Sequence, residues 1–218
     1  FGFVPIRLAD LHRVISAEGE IKPHTVVVQT SLPQADGKVS LGISVGANLD
    51  FIRSAKLVIA EMNPNMPVTH GDSRVPLDAI DLAYESDAPL LEYETPAEQA
   101  SDLRIVENVM SIIPDGAWAQ LGIGSVPDRI LERLSDVPGI NLFSGLLTGG
   151  LQRFVEKTSH TPKIVVGELA GTQAFYDYCD NNDMLEMAPT TVTHNVAQIG
   201  ALPKFTSINS AIEIDLQG

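Results

Sequence analysis

The 218-residue chain is 44% hydrophobic and 19% charged, enough to build one large core or two small ones, and no apolar run approaches the ~20 residues that cross a membrane as a helix. Fourteen basic against 28 acidic residues give a formal charge of −14 with no Lys/Arg cluster, which argues against nucleic acid and anionic membrane as partners. Cys179 is the single cysteine, so an intrachain disulfide is excluded and a reducing setting is expected, cytoplasmic or, in a eukaryote, mitochondrial. The chain opens FGFVPIRLADLH rather than with Met, which leaves a preceding targeting segment open.

In chain order, the spacing of Leu8, Leu11 and Ile15 predicts a helix over residues 8–16. HTVVVQTSL reads as a strand, Asp36-Gly37 as a turn and VSLGIS as a short strand. AKLVIAEMN, residues 55–63, is continuous enough for a parallel strand covered on both faces, and the Pro-rich NPNMPVTHGDSRV after it reads as a long loop. ESDAPLLEYETP lacks periodicity and predicts a boundary between two units, residues 1–92 and 93–218. Thr95, Pro96 and Glu98 have the spacing of a capping box, and Leu103, Val106, Met110 and Ile113 share one face of the helix it would start, which Pro114-Asp115-Gly116 stops. AWAQL then reads as a strand and GIGSVPDRILERL as a glycine turn and helix, with Ser125 and Asp128 at capping spacing. KIVVGELA and FTSINSAIEIDL predict further strands on either side of the helical AFYDYCDNND region. In the last of these Ile212, Ile214 and Leu216 would share one face, and Ala211, Glu213 and Asp215 the other. The expected fold class is α/β: two consecutive open, mostly parallel-sheet units, with strands near 25–30, 56–61, 117–121, 163–167 and 208–214.

Few residues carry recognisable chemistry. Gly122 and Gly124 in QLGIGSVPD lie between a strand and a helix N-terminus, where backbone N–H groups can face an anionic or carbonyl oxygen, although Pro127 replaces the third glycine of a dinucleotide fingerprint and a ligand-free turn fits equally. The five histidines have no metal-ligand spacing, and DYCDNNDMLE lacks the central glycine of a calcium loop, so no metal is expected. Neither a G-x-S-x-G elbow nor a phosphate-binding G-x-x-x-x-G-K-[ST] is present. Glu213 and Asp215 are read either as solvated strand residues or as functional carboxylates.

VPIRLADLHRVI, HTVVVQTSLPQADGKVSLGISV, AKLVIAEMNPNMPVTHGDS, QLGIGSVPDRIL and SINSAIEIDLQG, taken in order and spacing, resemble the acetyl-CoA hydrolase/transferase branch of the class I CoA-transferases, most of all the 4-hydroxybutyrate and butyrate:acetate CoA-transferases. The resemblance covers nearly the whole chain, and it implies that relatives extend beyond it at both ends, so that residues 1–92 match the later part of an N-terminal domain and 93–218 the first part of a C-terminal domain. It makes Glu213 the nucleophile that forms a glutamyl-CoA thioester, and Thr190, Thr191, Val192, Thr193 and His194 a segment contacting CoA near that thioester. It implies ping-pong transfer of CoA between an acyl-CoA and a small carboxylate such as acetate, by a homo-oligomer holding no permanent cofactor, with CoA as substrate. An acyl-CoA hydrolase using the same glutamate, and an inactive α/β fragment with a binding or assembly role, are the alternatives. Asp215 is expected to be a local hydrogen-bond acceptor rather than a second nucleophile.

Overall fold

Runs of β-branched residues separated by turn formers set the order of elements in the first part of the chain. It comprises α1 (Leu8–Val14), β1 (Thr25–Thr30), β2 (Lys38–Ser40), α2 (Asn48–Ser54), β3 (Leu57–Met62), β4 (His70–Gly71), β5 (Arg74–Pro76) and β6 (Leu82–Glu85). The computed structural model describes residue 3 and residues 5–16, 18–97, 100–211 and 213–217, and among these no helix is long and apolar enough to cross a membrane. β1, β3 and β6 form a parallel sheet in that order, with Val28 opposite Ala60 and Glu61 opposite Tyr84. β2 and β5 pair antiparallel. The segment expected to be one long loop therefore contributes two short strands, because Thr69 and Ser73 bury their hydroxyls in hydrogen bonds to Gly42 O, at 2.9 Å, and to Thr69 O, at 2.6 Å.

The second part comprises α3 (Ala100–Met110), β7 (Trp118–Leu121), α4 (Ser125–Arg133), β8 (Asn141–Thr148), α5 (Gly150–Lys157), β9 (Ile164–Ala170), α6 (Gln173–Cys179), β10 (Leu185–Met187), α7 (Thr190–Thr193), α8 (Val196–Ala201) and β11 (Phe205–Ile208). Its sheet has the order β11-β7-β8-β9-β10-β4, and every pairing along it among the described residues is parallel. β4 thus carries the first part of the chain to the edge of the second sheet. One cluster of buried apolar side chains joins both parts, from Val28, Val58 and Ala60 through Leu142 and Val166 to Met187. The α/β class and the mostly parallel strands agree with the sequence expectation.

Several local expectations are corrected. β3 is not covered on both faces: Val58, Ala60 and Met62 enter the core, whereas Val27 of β1 and Leu82 of β6, in one row with Ile59, are 62% and 56% exposed. The helix expected from Thr95 spans Ala100–Met110, because Thr95 Oγ1 donates to Asp128 Oδ2 at 2.5 Å instead of capping it; Glu98 lies outside the described residues. Its inner stripe runs through Asp102, Val106 and Val109 to Ile113, which leaves Leu103 half exposed. Gly124, not Ser125, is the cap residue of α4, since its φ of 122° is a backbone state that side chains disfavour. Asp128 does not close a capping box either; it is buried and accepts from Thr148 Oγ1 at 2.7 Å as well as from Thr95.

The largest correction falls at the end of the chain. β11 stops at Ile208, and no described residue beyond it is in a strand, Ile212 lying outside the described residues. The expected two-faced alternation is absent: Glu213, Ile214, Asp215 and Leu216 are all exposed. The cause is the partner strand, for Ile208 faces Leu121, the last residue of β7, and the chain turns away at Gly122 with nothing left to pair. β8, the longest strand, had no counterpart in the sequence reading.

Candidate active site

The sheet order reverses at β7. The chain steps through β7, β8, β9 and β10 in one direction and returns with β11 on the opposite flank of β7. In open parallel sheets the crevice beyond the carboxyl ends of strands at such a reversal is where ligands bind. Here that crevice lies between the glycine turn after β7 and the segment after β11 that leads to Glu213.

The two strand ends are tied together. Gly122 donates its N–H to Ile208 O at 2.9 Å, so it is not free for a ligand oxygen. Gln120 Oε1 accepts from Ser207 Oγ and, at 2.9 Å, from Asn209 Nδ2. Asn209 Oδ1 lies so close over Gly122 that a Cβ there would be 3.0 Å from it. The segment bearing Glu213 therefore leaves β11 from a fixed point directly over the glycine turn.

Beside this junction is a cavity of about 640 Å³, lined by Gly122, Ile123, Gly145, Glu168, Thr193 and His194 among others. It opens where β7 and β8 part: their ladder covers Trp118–Asn141 and Ala119–Leu142, and further along Ser144 Oγ replaces it, accepting from Leu121 N at 3.3 Å. Gly145 is required by contact, since a Cβ would be 2.8 Å from Cε1 of His194. The half-buried His194 ring also meets Thr193 Oγ1 at 3.0 Å through Nδ1, and burial lowers its pKa. Burial pushes the Glu168 carboxyl up to about 7, against a weaker opposing hydrogen bond from the Ser44 side chain.

The sequence-predicted residues divide around this cavity. Thr190, Thr193 and His194 line it, Thr190 and His194 also reach a second groove toward Arg7 and His12, and Thr191 lines only that groove. Val192 is in the wall of neither. Gly122 lines the cavity, whereas Gly124 serves as the helix cap. Glu213 follows the junction as an exposed side chain, and Asp215 accepts from Gln217 N at 2.8 Å, the local acceptor role expected of it. Glu168, Gly145, Gln120 and Asn209 were missed; the one available signal was Asn209, four residues ahead of Glu213 inside the quoted SINSAIEIDLQG.

The fold is α/β with mostly parallel strands, and its crevice lies where open sheets of this kind take ligands. Residues 2–92 match the family model of the acetyl-CoA hydrolase/transferase N-terminal domain and residues 171–218 that of the acetyl-CoA hydrolase/transferase C-terminal domain. The chain belongs to the acetyl-CoA hydrolase/transferase family. It is 37% identical to the 4-hydroxybutyrate coenzyme A transferase of Clostridium kluyveri, over 92% of this chain and 49% of that protein. It is 27% identical to a succinyl-CoA:acetate/propanoyl-CoA:succinate CoA transferase of Fasciola hepatica, over 99% of this chain and 47% of the other. Among solved structures, a 4-hydroxybutyrate CoA-transferase from Porphyromonas gingivalis superposes with TM-score 0.85 at 29% identity, covering 94% of this chain and 54% of that one. RipA from Yersinia pestis shares the fold, with TM-score 0.91 at 24% identity over 99% of this chain and 52% of its own. The chain spans about half the length of the curated relatives it matches.

Proposed function

We propose that the native protein is a CoA-transferase that moves CoA between an acyl-CoA and a small carboxylate such as acetate, with Glu213 as the nucleophile. The observation that carries this reading is the junction of β7 and β11: Asn209, four residues ahead of Glu213, is tied to Gln120 over the glycine turn and lines a cavity beside the sheet's reversal. The names of the relatives, all CoA transferases, support the same activity.

Transfer between carboxylic acids needs no strong base, because the nucleophile is already an anion and the thiolate is a stable leaving group. The Glu213 carboxylate adds to the thioester carbonyl and expels CoA thiolate, giving an acyl-glutamyl anhydride. The thiolate then attacks the glutamyl carbonyl and releases the first carboxylate, leaving a glutamyl-CoA thioester. An acceptor carboxylate attacks that thioester and again forms an anhydride, and the thiolate takes the acceptor's acyl carbon, freeing Glu213. A carboxylate is a weak nucleophile, so the rate must come from holding the groups at contact distance, worth roughly 7–11 kcal/mol, and from backbone donors at the developing oxyanion, worth a few kcal/mol each. Thr190, Thr193 and His194 stand in the wall where the acyl end of the substrate would lie. The half-buried His194 ring, whose pKa burial lowers, forms part of that wall.

The test is acyl-CoA consumption by the native protein with and without acetate. Consumption that requires acetate, yields acetyl-CoA and is abolished in Glu213→Ala supports transfer. Equal consumption without any acceptor carboxylate would make the protein a hydrolase, and full activity in Glu213→Ala would remove the residue from the mechanism.

A further inference from the structure

Glu168 is the titratable wall residue that the transfer mechanism does not use. It lies on β9, the strand beside β8, with Leu146 as its partner across the ladder. The loop 42–47 is laid over it: Ser44 forms a bridge to Glu168, and Val45 and Gly46 both donate their N–H to Gly167 O, at 3.1 and 3.2 Å. A Cβ on Gly46 would overlap the Glu168 carboxylate, so the side chain is packed flat against that glycine. Thr190 is held to the same glycine, donating its N–H to Gly46 O at 3.0 Å, and its own hydroxyl is buried without a hydrogen-bond partner among the described residues. The cavity wall at Gly46 thus carries a carboxyl and a hydroxyl without a partner among the described residues, and apolar Leu121, Leu146 and Ile199 also line the cavity.

We propose that Glu168 is a specificity-determining residue that sorts acyl chains by the charge of their far end, rejecting a chain that ends in a second carboxylate and accepting one that ends in a neutral group. The inference rests on the transfer reading above, which puts the acyl chain in this cavity. Two carboxylates sharing a partly desolvated site repel unless one holds a proton. Of the described residues lining the cavity, Glu168 from β9 and His194 after α7 are the only titratable ones; β8 and the loop 42–47 contribute Gly145, Leu146, Gly46 and Ala47. Among the described residues no arginine or lysine stands in this wall to receive a second carboxylate. A neutral hydroxyl end, by contrast, can bond to the Glu168 carboxyl and the Thr190 hydroxyl together. Because Glu168 titrates at about 7, the rejection strengthens above neutral pH and relaxes below it.

The experiment measures binding of propanoate and butanoate, and of their terminally hydroxylated and terminally carboxylated counterparts, to the native protein and its Glu168→Gln variant by calorimetry, at pH values on either side of 7. The expected result is a preference of roughly tenfold or more for neutral-ended acids over diacids in the unaltered protein on the alkaline side, narrowing on the acid side. Glu168→Gln, nearly isosteric, should abolish both the preference and its pH dependence, and kcat/KM ratios for the matching acyl-CoAs should follow. A preference that survives unchanged in Glu168→Gln overturns the proposal, as does an equal weakening of every acid, which is what a purely structural link to Ser44 would produce. Sorting of free acids as stated by a protein that transfers no CoA would defeat the transfer reading alone, since the binding arm involves no CoA.

Discussion

The three acidic side chains that matter here differ in what surrounds them. Glu213 is exposed, so Glu213→Ala should alter stability by no more than about 0.5 kcal/mol while abolishing transfer. Glu213→Asp withdraws the carboxylate by one methylene and should cost orders of magnitude in kcat, because contact geometry supplies the rate; near-normal turnover in that variant would contradict the account. Asp128 is buried, and desolvation raises its pKa in spite of the donors Thr95 and Thr148. Thr148→Val should destabilise the fold by about 1–3 kcal/mol, read from denaturant midpoints, because it removes one of two hydrogen bonds from a buried carboxyl. Glu168 has a folded pKa of about 7 against an ordinary 4.5, so the folded chain binds more protons than the unfolded chain between those values. Its contribution to stability is therefore complete below about pH 4.5 and is lost as pH rises through 7. Over that window the unaltered protein should lose on the order of 1–3 kcal/mol from this group, and Glu168→Gln should flatten the profile.

At the scale of elements, the site depends on where neighbouring strands end. β1, β3, β7 and β9 were legible in the sequence because their Val, Ile and Trp runs are bounded by turn formers. β8 was not, since NLFSGLLT holds no β-branched residue before its final Thr and carries a mid-strand glycine. That glycine answers to the His194 ring, 49 positions away in sequence and in contact in space. Gly145→Ala should displace the ring, cost about 1–2 kcal/mol and reduce transfer; a variant as stable and active as the parent would show that the ring position is immaterial. The extent of β11 was over-read for a related reason: the alternation in SAIEIDL fits a strand, but a strand needs a partner, and β7 ends at Leu121. Glu213 and Gly122 could be singled out because they lie in the SINSAIEIDLQG and QLGIGSVPD motifs, and the 190–194 segment only through the family resemblance; of that segment Thr190, Thr193 and His194 line the cavity. Gln120 and Glu168 were not, because their place in the site comes from register between strands far apart in the chain. Asn209→Ala, which unties the exposed Gln120 network, should change stability by about 0.5–1.5 kcal/mol and lower kcat by roughly tenfold or more, through loosening of the Glu213 segment.

For the whole molecule, charge and coverage belong together. The chain carries a formal −14 and spans about half of its curated relatives, and the cavity wall offers no lysine or arginine among its described residues. CoA is polyanionic, so the proposed transfer requires that the cations holding its phosphates lie outside this cavity. The central claim, that Glu213 becomes covalently joined to CoA, is tested most directly by mass. The native protein is incubated with acyl-CoA and no acceptor, digested under mildly acidic conditions, and the peptide that includes residues 205–218 is weighed. The account predicts a peptide heavier by CoA less one water, with the added mass on Glu213 and released on addition of acetate. An unmodified peptide from a protein that is turning over acyl-CoA, or an adduct mapped to any other residue, would contradict it.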